Sequence, residues 1–175
     1  MQNQKTRNLI LSALFMAIGF VLPFVTGQLR EFGNLLLPMH IPVMLCGFIC
    51  GWQYGLAVGF ILPIMRSALF GMPMMFPNAI GMAFELATYG FICGYIYNHS
   101  KKSGVATIYI SLISAMIIGR IVWGISRAVM LVFGNNIFTL GMFVTAGFTS
   151  AIPGIVIQLV VIPAVMVLLK KSRII

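Results

Sequence analysis

Apolar residues run along this chain in blocks of about twenty, separated by short intervals rich in Gly, Pro, Asn and charge. Blocks of that length match the hydrocarbon core of a bilayer, which a helix crosses in about 20 residues. The first block runs from about Leu9 to Gly27. A polar interval, Gln28 to Asn34, leads to Leu35-Leu36-Leu37-Pro38. The second block, about Met39 to Cys50, is too short for a straight full crossing. Gly51-Trp52-Gln53-Tyr54-Gly55 turns it into the third, which ends near Phe70 and contains Pro63 and Arg66. Gly71 to Pro77 is a breaker-rich loop. The fourth helix is predicted from about Asn78 to Tyr97, the fifth from Val105 to Phe133, and the sixth from Ala151 to Leu169. Gly134-Asn135-Asn136 and a semi-polar stretch to Ser150 separate the last two. The expectation is an all-α membrane protein of six transmembrane helices, with the whole chain as one transmembrane domain.

Composition excludes a water-soluble alternative. The chain is 61% hydrophobic and 7% charged, whereas soluble domains carry about 25% charged residues. The net charge of +9 suggests a nucleic-acid partner only until its distribution is seen. Lys5 and Arg7 precede the first helix, Lys101 and Lys102 lie in the central loop, and Lys170, Lys171 and Arg173 follow the last. Six crossings put all seven of these on one side and Arg30 alone on the other. By the positive-inside rule both termini are cytoplasmic. Basic residues before an apolar run also fit a signal peptide, but the run is long and lacks a small-x-small cleavage site, so a retained first helix is expected.

Small residues recur at helical spacing, at Gly51, Gly55 and Gly59 and at Ala79, Ala83 and Ala87, a pattern that lets membrane helices pack closely. Cys46 and Cys50 share one helix face without a zinc-loop spacing, and with Cys93 they read as small packing residues. No internal repeat of the inverted kind is visible.

Candidate chemistry is carried by the charges inside the predicted helices, because an ionisable group in lipid is costly and is functional by default. These are Arg66, Glu85, Arg120 and Arg127. Arg120 and Arg127 are two helical turns apart, about 10 Å along one face, and Trp123 falls on that face between them. Asn78, Met82, Glu85 and Tyr89 share a face of the fourth helix by the same arithmetic. The two faces together suggest a polar cavity towards the outer leaflet. Glu85 either pairs with an arginine to hold helices together or joins a ligand site. In both cases arginines outnumber carboxylates, so water, carbonyls or an anionic ligand must satisfy the rest. Arg66, near the outer end of its helix, either snorkels or contributes to the site. His40, between Pro38 and Pro42, is either an interfacial structural residue or a ligand contact. Gln158 either lines the cavity or bridges helices. The Met72–Met75 cluster has no His or Cys beside it and reads as a flexible apolar lid rather than a soft-metal site.

The signatures of hydrolases, zinc peptidases and P-loop ATPases are absent from the sequence. An enzyme is therefore not expected, and energy for transport must come from a gradient or a partner.

Several segments carry a family resemblance. These are Leu37-Pro38-Met39-His40-Ile41-Pro42, Gly51-Trp52-Gln53-Tyr54-Gly55, Phe84-Glu85-Leu86-Ala87-Thr88-Tyr89-Gly90 and Ala151-Ile152-Pro153-Gly154-Ile155. With the size and six helices, they resemble the substrate-binding S component of energy-coupling factor (ECF) transporters, vitamin importers of bacterial and archaeal cell membranes. The resemblance covers nearly the whole chain. It implies an S-component bundle with a vitamin site on the outer side, roofed by loops that here hold Arg30 to Asn34 and Phe70 to Pro77. It implies an Ala-x-x-x-Ala motif in the first helix, supplied by Ala13 and Ala17, that docks on the ECF transmembrane subunit. Two partner ATPase subunits would use the ATP while the S component topples in the membrane, and this chain would need no cofactor of its own. The pantothenate and cobalamin-precursor types are the nearest, and the arginine excess makes pantothenate the first guess. A solitary secondary carrier or channel for a small anionic solute is the competing expectation.

Overall fold

The computed structural model describes residues 2–27, 37–100, 104–133 and 151–172. Among these there are six α-helices: α1 (Gln2–Gly27), α2 (His40–Cys50), α3 (Trp52–Phe70), α4 (Ile80–His99), α5 (Val105–Phe133) and α6 (Ile152–Lys171). A kinked turn, Met75–Ala79, with extended backbone at Phe76, leads into α4. Five segments are long and apolar enough to cross a membrane: Asn3–Val25, Trp52–Phe70, Met75–His99, Val105–Met130 and Ile152–Lys171. His40–Cys50 is the shorter apolar helix.

The boundaries differ from expectation in three places. Helix α1 extends back to Gln2 through an exposed polar first turn, and farther along the Asn8 side-chain amide donates to the Cys50 carbonyl at 3.1 Å. Trp52, Gln53 and Tyr54 lie within α3 rather than in a turn. Gly51 alone makes the reversal, at φ 103°, where a side chain would be strained. Asn78 sits in the kinked turn, ahead of α4.

Helix α4 is the central strut, packed against α2, α3 and α5, while α1 covers α2 and α3. Helix α6 closes against α5 and α2. Glycines let α2, α3 and α4 touch backbone to backbone. A Cβ on Gly55 would lie 2.7 Å from the Gly47 Cα and 2.7 Å from the Gly90 carbonyl oxygen. Nearly all of α2 is buried, in a core that includes Val43, Met44, Cys46 and Phe48. By contrast, α1 turns Leu9, Ile10, Leu14 and Val21 outward, and α5 does so with Ile110, Ile113, Ile117, Ile121 and Ile125. Apolar surface of that extent belongs against lipid or protein.

Both ends of the chain come to one end of the bundle. The Tyr54 hydroxyl donates to the Lys5 carbonyl at 3.5 Å, and Lys170 Nζ lies 5.2 Å over the Tyr97 ring. This is the end that carries the basic residues, hence the cytoplasmic one.

Candidate functional site

Glu85 is the hub of a buried polar cluster. It sits mid-way along α4 at 2% exposure. One turn on, the Tyr89 hydroxyl donates to its Oε1 at 2.9 Å. From α5, Arg120 Nη1 approaches the same oxygen at 3.0 Å. From the first residue of α2, His40 Nε2 lies 3.6 Å away, longer than a hydrogen bond. Glycine makes this contact possible: a Cβ at Gly119 of α5 would press into the Tyr89 ring, 3.0 Å from Cζ.

A second station lies two turns outward on α5. Arg127 Nη1 donates to Asn78 Oδ1, and its guanidinium carbon lies 5.6 Å from the Trp123 ring centroid. Gly81 leaves the room, since a Cβ there would meet Arg127 Cδ at 3.3 Å and Trp123 Cδ1 at 3.9 Å. Gln158, on α6, is 1% exposed, and its Nε2 has no hydrogen-bond partner among the described residues. The same holds for both ring nitrogens of His40 and for Nε of Arg120 and Arg127.

Helix rise places these groups at one depth. His40 lies roughly 15 Å above Cys50, Glu85 roughly 18 Å above Tyr97, Gln158 roughly 18 Å above Lys170 and Arg120 roughly 20 Å above Thr107. All four reference residues belong to the cytoplasmic end. The polar groups therefore form a layer just past the middle of a hydrocarbon core about 30 Å thick, with Arg127 farther out.

Of the expected site residues, the structure brings His40, Glu85, Tyr89 and Arg120 together, and Asn78, Trp123 and Arg127 beside them. Arg66 stands apart. It is 8% exposed and does not snorkel. Its Nη1 donates to the Phe20 carbonyl of α1 at 2.7 Å, with Phe24 and Phe70 rings at 4.7 and 5.6 Å. Ala13 and Ala17 are exposed on the outer face of α1. Of the loops expected to roof the site, Arg30 to Asn34 lies outside the described residues. In the other, Met72, Met74 and Phe76 are exposed. Gly81 and Gly119 carry no chemistry in the sequence, and only their spacing against bulky neighbours on the facing helix would have signalled them.

A protein-family model described as the ECF transporter, substrate-specific component, matches residues 7–166. The chain belongs to this family. It is the substrate-binding subunit of an ECF importer, an integral membrane protein and not an enzyme. An S component implies a small-molecule substrate and an ECF module as partner. Neither the curated proteins nor the solved structures include a match to the chain.

Proposed function

We propose that this S component captures a small anionic micronutrient, pantothenate as first guess, between α4 and α5 in the outer half of the bundle. The observation that carries the reading is the buried polar layer within an apolar bundle, with several of its nitrogens lacking hydrogen-bond partners among the described residues. Buried polar groups are normally hydrogen-bonded, and a solute rich in acceptors supplies what this layer lacks. Substrate binding would involve His40, Asn78, Glu85, Tyr89, Arg120, Trp123, Arg127 and Gln158. Arg66, on the α1 side, would act on α1 rather than on the solute.

Delivery would follow docking of the outer face of α1, through Ala13 and Ala17, on the ECF transmembrane subunit, with two ATPase subunits supplying the energy. Small residues in an exposed apolar stripe suit such close helix approach.

A thermal-shift screen of the purified chain against vitamins and their precursors, pantothenate and cobalamin fragments included, tests the binding reading. A ligand at 100 times its Kd adds about 2.7 kcal/mol of stability, and a well-behaved sample that responds to none of them contradicts the reading. Replacing both Ala13 and Ala17 with Leu tests delivery: uptake by the complete transporter collapses while binding to the isolated subunit survives. Unchanged uptake would point to a solitary carrier.

A further inference from the structure

The two arginines of α5 stand in different electrostatic surroundings. Arg120 is neutralised where it is buried, 3.0 Å from Glu85, the one carboxylate side chain among the described residues. Among the described residues Arg127 is touched by neutral groups, the Asn78 amide oxygen and the Trp123 ring, and its Nε has no hydrogen-bond partner. The inner layer therefore offers a balanced ion pair, and the outer station offers a positive charge. A second anion brought to the inner layer would face the Glu85 carboxylate in a medium of low dielectric, and a cation there would face Arg120. What the inner layer can still bind is polar rather than charged: Gln158 Nε2 is an amide donor, and both His40 ring nitrogens lack hydrogen-bond partners among the described residues.

We infer that the solute is an elongated monoanion bound in one direction, with its anionic group at Arg127 and a neutral hydroxyl or amide about 10 Å deeper, at His40 and Gln158. Trp123, on the face between the two stations, lies along the apolar middle of such a molecule. The inference rests on reading the cluster as the substrate site. Arg127 is then the residue that selects for charge, and Gln158 reads the far end.

The test uses matched acid and neutral pairs against the purified full-length chain: pantothenate with panthenol, and biotin with its amide. Kd values are measured for the wild type, Arg127→Gln, Arg127→Lys and Gln158→Leu. One acid is expected to bind at least about tenfold more tightly than its neutral partner, the scale of one charge-assisted hydrogen bond. Arg127→Gln should erase that preference, weakening the acid far more than its neutral partner. Arg127→Lys should keep part of it, and Gln158→Leu should weaken both members alike. Melting temperatures of the unliganded variants separate misfolding from lost recognition. A neutral member that binds as well as its acid, equal losses for both members on Arg127→Gln, or a hit that is only cationic or uncharged overturns this orientation and leaves solute capture standing. Silence across the pairs and across the wider vitamin screen removes both readings.

Discussion

Glu85 shows what a single carboxylate does inside an apolar bundle. It holds Tyr89, Arg120 and His40 at one point where three helices meet. Taking one partner from a buried pair leaves an uncompensated charge, at about 3–5 kcal/mol. Glu85→Gln should therefore lower the unfolding free energy by that order in a denaturation measurement, and Glu85→Gln with Arg120→Gln should recover part of it. Much of this pairing was legible in the sequence, because Arg120, Trp123 and Arg127, and Asn78, Glu85 and Tyr89, repeat at helical spacing on two faces. The part of His40 was not. It begins a helix that starts inside the bundle, and no local pattern announces how deep a helix start will lie. Arg66 was equally opaque: its place is set by a carbonyl and an aromatic ring far away in the chain, on α1, with the Phe70 ring one turn on along α3.

At the scale of elements, length and hydropathy located the helices, because lipid forces every backbone group into an internal hydrogen bond. Their limits shifted where polar residues joined a helix end, as in the exposed first turn of α1. The glycine stripe of α3 proved to be a contact surface: Gly55 meets Gly47 and Gly90, and Gly59 meets the Leu86 backbone. A side chain here strikes main chain that cannot rotate aside. Gly90→Ala should therefore cost about 3 kcal/mol, the upper end for overpacking, seen as a fall in melting temperature and in yield of monodisperse protein. A conservative change on the lipid side, such as Ile113→Leu, should leave both unchanged.

For the whole molecule, the two termini and the basic residues gather at one end, so a fluorescent protein fused to either terminus should mature in the cytoplasm. A reporter that needs export should stay silent at both positions. The positive-inside rule made this side readable from the sequence. Which outward faces meet lipid and which meet a partner was not readable, because both demand apolar side chains. Exposed alanines on α1 differ from the exposed isoleucines of α5 only in bulk.

The brevity of α2 has a consequence for how the protein is made. At ~16 Å it reaches only about half-way through the bilayer, and it is buried on nearly all sides by α1, α3 and α4. Too short to span the membrane alone, it cannot settle as an independent crossing while the chain is still emerging from the ribosome. Its polar start, at His40, finds a partner only when Glu85 of α4 arrives. Insertion must therefore proceed with α2 and α3 entering as one hairpin about Gly51, and nascent chains that stop after Phe70 should be degraded while those that reach His99 persist.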